Sequence, residues 1–271
     1  MNFPTLPRIT IITPSLNQGD FIGQTIDSVL DQSYPDLEYI VIDGGSTDNT
    51  LEVLKKYSGR ISWVSEKDRG QSNAINKGLW MASGEIVAYL NSDDIYLPGA
   101  LRAVGEFFAS NPEAAWLTGR CRIIDHCGAE IRRGIALYKN FWLLINSYQI
   151  LLILDFISQP ATFWRRVVID EIGGFDEELE YAMDYDYSLR VGKKFKLLVL
   201  HKYLASYRIH HSSKAGGSAH AQFDVDLQIA QRYSSSKLLQ NLHNLHNFLI
   251  ISTYRKLLHK YSQRTMITSE Y

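Results

Sequence analysis

Short apolar runs alternate with amphipathic stretches along the first third of the chain. Some of the runs are rich in β-branched and aromatic residues and are typical of buried strands: Ile9–Thr13, Leu37–Ile42, Ile61–Val64 and Ile86–Leu90. Between them, apolar residues recur at helical spacing around residues 21–30, 51–57 and 71–82. Because strands that alternate with helices form parallel sheets with right-handed crossovers, this pattern predicts an α/β fold.

The rest of the chain has a less regular pattern. It predicts helices at 100–109, 167–172 and 181–191, a helix or helix pair at 138–154, and strands at 114–117 and 161–164. We also expect a hairpin over 120–133, two short strands within 195–207, and helices from about 223 to about 261. A stretch rich in Ser and Gly at 212–219 is the best candidate for a domain boundary.

Polar residues follow three of the predicted strands. Thr13, Pro14 and Ser15 end the first strand, Asp43, Gly44, Gly45 and Ser46 follow the second, and Asn91, Ser92, Asp93 and Asp94 follow the fourth. The carboxyl ends of parallel strands meet at one edge of a sheet, where ligands bind, so these ends should share one cleft.

Individual residues of this set have a functional and a structural interpretation. Asp43 can accept a hydrogen bond from a base, and the two glycines after it allow a flat ligand to approach; alternatively, Asp43 is a turn residue and Ser46 caps the next helix. Neighbouring carboxylates such as Asp93 and Asp94 suit Mg²⁺ or Mn²⁺ bound to phosphates; alternatively, they cap a helix near Pro98.

Composition excludes several classes of protein. The chain of 271 residues has 28 basic and 29 acidic residues, without the basic excess of a nucleic-acid-binding protein. Cys121 and Cys127 do not form a disulfide framework, and no signal peptide or long apolar span is evident. We therefore expect a cytoplasmic protein. The Gly-rich motifs of dehydrogenases and P-loop NTPases are also absent.

Four motifs in order resemble those of family 2 glycosyltransferases with the GT-A fold. They are Ile12–Gly19, Ile42–Asp48, Gln71–Gly78 and Leu90–Asp94, and the resemblance extends from about Ile9 to about Ser213. It implies a mostly parallel central sheet flanked by helices. Residues 1–219 would form the GT-A domain, with a Rossmann-like nucleotide-sugar half (1–96) and an acceptor half (97–219), followed by a helical extension (220–271).

The resemblance also implies an activity and its site. The protein would be an inverting transferase that uses a nucleotide diphosphate sugar, most often of UDP, with a divalent cation, Mg²⁺ or Mn²⁺. Asp43 would bind the base, Asp93 the metal, and Asn91 a hydroxyl group. The other nucleotide-sugar-binding residues would be Thr13, Pro14, Ser15, Asn17, Gly44, Gly45, Ser46, Asp68, Gly70, Ser72, Ser92 and Arg208.

Two further signals come from the second half of the chain. Inversion needs a base, and Asp184 lies at the position of the family's catalytic carboxylate; alternatively, it is a helix N-cap or a first-turn carboxylate that the helix dipole stabilises. Asp186 would instead pair with Arg190 at i+4. His210 can complete a metal site beside Asp93, and Arg208 can neutralise the departing diphosphate.

Two departures from the family pattern leave a second hypothesis open. Asn91 replaces an acidic residue, and Met183 replaces the usual acidic neighbour of the base. A nucleotide-sugar-binding scaffold without catalysis would tolerate both changes. The acceptor of an active enzyme would be a glycan or a lipid-linked sugar.

The C-terminal helices contain an apolar seam of Leu238, Leu242, Leu245 and Leu249, spaced 4, 3 and 4. This seam would pack on its own domain or on a second copy in a homodimer. Basic residues after Thr253 favour the alternative of a peripheral contact with the inner face of the cell membrane. His243 and His246 are interpreted as part of a solvated face.

Overall fold

The computed structural model describes residues 5–211, residue 213 and residues 219–267. For 219–224 and 254–267 it describes the backbone alone. The proposed boundary stretch therefore lies largely outside the described residues, as do the side chains of the basic residues after Thr253.

The first part of the described chain alternates strands and helices as the sequence pattern predicts. Its elements are β1 (Ile9–Ser15), α1 (Ile22–Leu30), β2 (Leu37–Asp43), α2 (Thr50–Lys56), β3 (Ser62–Ser65), α3 (Gln71–Met81) and β4 (Ile86–Tyr89). Strand β1 pairs in parallel with β2 and β4, and β2 pairs in parallel with β3. The residues of β1 are buried throughout, because helices cover both faces of this sheet.

The second half extends the same sheet with mixed directions. It contains β5 (Ile95–Tyr96), α4 (Ala100–Ser110), β6 (Trp116–Ile124), α5 (Arg133–Ile145), α6 (Tyr148–Leu151), β7 (Thr162–Arg165), α7 (Arg166–Ile172), α8 (Met183–Gly192) and β8 (Leu197–Arg208). In the described part of the chain the sheet order is β3-β2-β1-β4-β7-β6-β8-β5. Strand β7 is antiparallel to β4 and β6, β5 is antiparallel to β8, and β6 is parallel to β8.

The hairpin expected over 120–133 forms with a short return segment. Strand β6 continues to Ile124, the chain turns at 125–128, and the return segment pairs with β6 through the antiparallel bridge of Ile124 with Glu130 and the bond from Ile131 N to Ile123 O. The expectation of two strands within 195–207 is wrong, because this segment is the single strand β8. The long pairing of β6 with β8 joins segments far apart in sequence. Local periodicity does not report such a pairing.

The apolar stretch after Tyr138 is a helix pair, one of the two forms expected. Helix α5 ends at Ile145, the φ of 37° at its C-cap Asn146 is left-handed, and Ser147 caps α6 by accepting a hydrogen bond from Ile150 N. A short left-handed link of this kind turns the chain sharply between the two helices.

The C-terminal extension comprises α9 (Ala219–Tyr233) and α10 (Lys237–Ile267). Ile229 and Ala230 of α9 are 1% and 4% exposed and belong to the same apolar cluster as Met183 and Tyr185 of α8. The division at 219/220 stays a prediction, and the described part of α9 packs on the main core. Within the described residues, no helix is long and apolar enough to cross a membrane.

Candidate active site

A broad cleft runs along the carboxyl edge of the parallel strands. Among the residues expected to bind nucleotide sugar, metal or acceptor, those that line it are Pro14, Ser15, Asp68, Gly70, Ser72, Asn91, Ser92, Asp93 and Asp184. Ser15 lies opposite Asp43 in the register of β1 and β2, and β4 follows on the other side of β1. The topology thus brings the polar strand ends to one edge, as the sequence indicates.

The loops after β1 and β2 are tied together below the cleft surface. Asp43 is fully buried, and its carboxylate accepts hydrogen bonds from Gly45 N, from Ser46 N and Oγ, and from Ser65 Oγ. Asn17 N donates to Ser46 Oγ at 2.7 Å, and Asn17 Oδ1 accepts from Thr47 N at 2.8 Å. Asp43, Ser46 and Asn17 therefore hold the loop in shape, and Asp43 is the turn residue of its alternative interpretation.

Two local expectations about these loops need correction. Ser46 does not cap α2, because Asp48 Oδ1 accepts the hydrogen bond from Thr50 N at 2.9 Å. Thr13 is fully buried and bonds Tyr39 Oη at 3.0 Å, so its side chain faces the core and not the nucleotide. The hydroxyl groups of Thr13 and Ser46 therefore already have hydrogen-bond partners within the protein.

The hydroxyl group of Ser15 differs from those of Thr13 and Ser46 in its hydrogen bonding. Its hydroxyl is buried, lines the cleft, and has no hydrogen-bond partner among the described residues. A buried polar atom without a partner costs about 1–3 kcal/mol, which a bound ligand recovers when it supplies the missing bond. Ser15 therefore brings a hydroxyl group without a hydrogen-bond partner to the wall of the cleft.

The turn before α3 approaches the second strand end closely. A Cβ atom on Gly44 would lie 2.5 Å from Asp68 Oδ2, so any larger residue here would require this carboxylate to move. Asp68 Oδ1 accepts from Gly70 N at 2.9 Å, and Gly70 has a φ of 113°. Ser72, at the start of α3, donates to Met183 Sδ at 2.7 Å and thereby joins α3 to the start of α8.

Asp93 and His210 form a side-chain pair at the edge of the cleft. His210 Nε2 lies 3.0 Å from Asp93 Oδ2, and the imidazole stacks against Phe21 with ring centroids 4.4 Å apart. A carboxylate and an imidazole nitrogen at this separation are suitable ligands for a divalent cation such as Mn²⁺. The residues present thus fit the metal implied by the sequence.

Asp94 and Asn91 support this pair from behind. Asp94 is fully buried, accepts from Arg208 N at 2.8 Å and from Asn91 Nδ2 at 3.3 Å, and does not cap a helix. Burial, with Asp93 beside it, raises the pKa of Asp94 well above the usual value. Asn91 Oδ1 accepts from Gln71 Nε2 at 2.7 Å, so its amide is already engaged on both sides.

Arg208 is a structural residue. The guanidinium is 1% exposed and donates to the carbonyl oxygens of Asp93, Asp125 and His126 and to Gln24 Oε1, over distances of 2.8–3.2 Å. These bonds occupy all three of its nitrogens, and the group stacks over Phe21. Arg208 does not line the cleft, contrary to the expectation that it faces the diphosphate, and its donors hold the loop of Asp93 in place instead.

Asp184 lies in the first turn of α8 and lines the cleft. Burial raises the pKa of its carboxyl group, and Asp155 raises that pKa further, whereas Lys139 lowers it. The N-cap of α8 is Ala182, with a φ of 56°, so Asp184 is not the cap. Asp186 pairs with Arg190 at 2.8 Å, as predicted, and also accepts from Tyr233 Oη at 2.6 Å.

Four further polar residues surround Asp184 and escaped the sequence interpretation. Lys139 Nζ lies 3.5 Å from Asp155 Oδ2, and Gln159 lines the same cleft. Asp226 of α9 is mostly buried, and burial, with Asp155 and Asp184 nearby, raises its pKa to about 8. The local sequence marks Lys139 and Asp155 only as isolated charges within an apolar stretch. Such a pattern does not indicate that these residues share a site with Asp184.

The C-terminal histidines were also interpreted wrongly. His243 is 2% exposed and its Nδ1 lies 2.9 Å from Leu152 O, while His246 stacks on Tyr138. The leucine seam faces outward instead, since Leu238, Leu242, Leu245 and Leu249 are between 38% and 68% exposed. Helix α10 therefore packs on the domain through the face that contains His243.

A separate group of potential ligands, Asp125, His126 and Cys127, lies on the turn after β6. Its ligand atoms are within 4.8 Å of one another. Asp125 Oδ1 already accepts from Cys127 N and Ala129 N, so it shapes the turn. A tetrahedral zinc site needs a fourth ligand, and the described residues offer none in this group.

The mixed sheet flanked by helices, with its polar strand ends on one cleft, has the GT-A fold of glycosyltransferases. The sequence model described as Glycosyl transferase family 2 matches residues 10–173, more than half of the chain. The chain is 32% identical over 255 residues to an uncharacterized glycosyltransferase of Nostoc sp., covering 86% of this chain and 76% of that protein. It therefore belongs to glycosyl transferase family 2.

Other similarities are consistent with this assignment. A putative teichuronic acid biosynthesis glycosyltransferase, TuaG of Bacillus subtilis, is 41% identical over 117 residues, or 42% of this chain and 46% of TuaG. An uncharacterized glycosyltransferase of Rickettsia prowazekii is 26% identical over 214 residues, which are 75% of this chain; this chain spans 64% of its length.

Two solved structures share the fold. Residues 1–349 of S. aureus TarS, in complex with UDP-GlcNAc, match with a TM-score of 0.64 and 21% identity over 86% of this chain and 69% of that one. The mannosyltransferase PcManGT of Pyrobaculum calidifontis, in complex with GDP-Man and Mn²⁺, matches with a TM-score of 0.65 and 19% identity over 90% and 70% of the two chains.

Proposed function

We propose that the protein transfers a sugar, with inversion, from a UDP-type nucleotide diphosphate donor to a hydroxyl group of a glycan or lipid-linked acceptor. The observation that supports this most strongly is the shared cleft. It contains the open hydroxyl of Ser15, the loop of Asp68, the carboxylate of Asp93 and the buried carboxyl group of Asp184. These are the parts that a donor site and a base require.

In the proposed reaction Asp184 acts on the acceptor. Its carboxylate takes the proton of the acceptor hydroxyl while that oxygen attacks the anomeric carbon from the face opposite the diphosphate. The new glycosidic bond forms as the bond from the anomeric carbon to the diphosphate oxygen breaks, and the nucleoside diphosphate leaves with the electron pair. The raised pKa makes Asp184 a stronger base than an exposed aspartate.

Asp93 and His210 would hold a divalent cation, Mg²⁺ or Mn²⁺, in this proposal. When bound, the cation supplies positive charge to the diphosphate. Support comes from the distance of 3.0 Å between the two side chains and from the neighbour PcManGT, whose complex contains GDP-Man and Mn²⁺. Arg208 contributes by fixing the backbone of Asp93.

The donor and acceptor classes rest on similar proteins. TarS binds UDP-GlcNAc in its solved complex, which favours a UDP sugar. Chondroitin synthase of Pasteurella multocida, 28% identical over 211 residues, and the putative teichuronic acid enzyme TuaG favour a polysaccharide acceptor. This chain spans only 21% of the chondroitin synthase, so the comparison supports the class of reaction and not the whole activity.

The leucine seam supports a further part of the proposal, association through α10 in a cytoplasmic setting. Its exposed side chains suit either a second copy or a membrane surface. Light scattering after gel filtration reports a dimer, and flotation with anionic vesicles reports membrane binding. Leu245→Asp should abolish whichever association occurs, and a monomer that also fails to float contradicts both.

The central test compares Asp184→Asn with the exposed control Asp170→Asn. A screen of nucleotides and nucleotide sugars by thermal shift, with and without Mn²⁺, first identifies the donor. Asp184→Asn should then lower transfer and donor hydrolysis by roughly 10²- to 10⁴-fold and leave the donor Kd unchanged by calorimetry. Full activity of this variant excludes Asp184 as the base. Donor binding by the wild-type protein without any turnover favours the scaffold hypothesis.

A further inference from the structure

A small recess opens from the floor of the cleft beside Asp184. Its walls include Asp155, Gln159, Trp164, Phe175 and Asp184. Asp155, Gln159 and Asp184 also line the cleft, so the recess adjoins the cleft at these residues. The reaction derived above uses Asp184 alone among these residues.

Gln159 presents an open acceptor to its surroundings. The side chain is 8% exposed, and its Nε2 donates to Tyr89 O at 2.7 Å. Because a carbonyl oxygen only accepts, this bond fixes the orientation of the amide. The other end, Oε1, is buried and has no partner among the residues that the structure describes. A ligand that brings a donor would therefore gain a bond that the free protein lacks.

Trp164 presents the complementary open group. Its indole is 3% exposed, and the Nε1–H is buried without a partner in the described part of the chain. An indole N–H can only donate. The two residues together thus lack one donor and one acceptor, and a hydroxyl group supplies both. A cation cannot satisfy Trp164, and an anion would lie against Asp155 and Asp184.

The recess is held rigidly by its neighbours. Lys139 pairs with Asp155 and donates to Ile157 O at 3.1 Å, and Asp155 Oδ1 accepts from Ile157 N at 3.2 Å. On the opposite wall, Phe175 stacks on Tyr187 with centroids 4.2 Å apart. A preformed site of this kind binds without a large ordering cost.

We propose that the recess is a specificity subsite for the acceptor: Gln159 and Trp164 hold a second hydroxyl group of the sugar whose neighbouring hydroxyl Asp184 deprotonates. This inference rests on the proposed function. It assigns the attacking group to a sugar ring with at least two nearby hydroxyls, and not to a lipid phosphate or an isolated alcohol.

The test uses two conservative variants, Gln159→Met and Trp164→Phe, with Trp142→Phe as the matched control outside the recess. The donor is the nucleotide sugar found by the thermal-shift screen. The acceptor probes are the octyl glycosides of glucose, galactose, mannose and N-acetylglucosamine, and the reaction without a probe measures donor hydrolysis. Circular dichroism melting confirms that each variant is folded.

The wild-type protein should glycosylate at least one probe. Both recess variants should raise the KM for that probe by about tenfold, the loss expected for one hydrogen bond, while donor hydrolysis and donor KM stay within about twofold. Monodeoxy analogues of the probe identify the hydroxyl group that the recess holds. Removal of this hydroxyl should lower kcat/KM by about tenfold with the wild-type protein. The same removal should not lower kcat/KM with Gln159→Met. Trp142→Phe should behave as the wild type.

Three results overturn the inference. They are an unchanged acceptor KM in both folded variants, an equal loss of hydrolysis and transfer, and a wild-type protein that hydrolyses its donor but accepts none of the four probes. A wild-type protein that neither hydrolyses nor transfers any donor contradicts the proposed function itself. The two failures are therefore distinguishable.

Discussion

His210 Nε2 lies 3.0 Å from Asp93 Oδ2, although the two residues are 117 positions apart in the chain. Strand β8 ends at Arg208 and delivers His210 to the strand end that carries Asp93, because Arg208 N and its guanidinium bond Asp94 and the Asp93 carbonyl. The arrangement joins the strand end after β4 to the segment after β8 at one point.

Removal of His210 should weaken the metal dependence of the reaction. His210→Ala leaves Asp93 without its imidazole partner, so the Mn²⁺ concentration for half-maximal activity should rise by at least about tenfold. The exposed neighbour His211 provides the control variant His211→Ala, which should match the wild type. An unchanged Mn²⁺ titration with His210→Ala shows that this imidazole does not bind the cation.

Loss of the Arg208 guanidinium should reduce stability. Arg208→Met leaves buried carbonyl oxygens without donors, and the free energy of unfolding in urea should fall by about 2 kcal/mol or more. The control Arg102→Met removes an exposed i,i+4 ion pair with Glu106. It should change the free energy of unfolding by about 0.5 kcal/mol or less. Equal effects of the two variants contradict the structural role of Arg208.

A methyl group at Gly44 should displace Asp68. Gly44→Ala places its Cβ against the carboxylate, so the Kd for UDP measured by calorimetry should rise. Gly134→Ala is the matched control, since its Cβ would meet no atom within 4 Å. That control should retain nucleotide affinity and slightly stabilise α5. If the Gly44→Ala variant binds UDP with unchanged affinity, the nucleotide base does not bind beside this turn.

The stability of the fold should depend on the protonation of Asp226. Burial first, then Asp155 and Asp184, raise its pKa from the usual value of about 4 to about 8. Within this window the folded state retains a proton that the unfolded chain releases, so Asp226 destabilises the fold increasingly as pH rises. Asp226→Asn, which stays neutral, should raise the melting temperature over wild type progressively from about pH 5 to about pH 8.

The control for this prediction is Asp170→Asn, an exposed carboxylate on α7. It should follow the wild-type pH profile of melting temperature. If the difference in melting temperature between the wild type and Asp226→Asn stays constant with pH, Asp226 does not titrate in this range.

The predicted strands of the first half are confirmed within one or two residues because each has a local cause. β-branched runs such as Ile9–Thr13 form strands through their own sterics and burial, and Gly and Asp residues end them. The convergence of the strand ends followed from the parallel topology, which alternation of strands and helices implies. Ser15 and Asp93 were therefore expected in one cleft from the topology, whereas Asp184 was expected there from the resemblance to the family.

The direction of individual side chains was less predictable. Thr13 and Arg208 belong to motifs near the nucleotide, yet each bonds a buried partner and faces away from the cleft. A one-residue step along a strand reverses the face to which its side chain points. The motif locates the strand end, but the pleat and the packing select which residue of it reaches the ligand.

The sequence by itself determined the family, the order of the nucleotide-binding elements and the strand end that carries Asp93, because local periodicity and motif spacing encode them. Only the tertiary structure brought Lys139, Asp155, Gln159 and Asp226 around Asp184, and turned the leucine seam outward. These residues come from α5, the connection between α6 and β7, and α9, whose proximity depends on the pairing of β6 with β8 and on helix packing across the chain. Such contacts arise from the folded core and leave no periodic signal in the sequence.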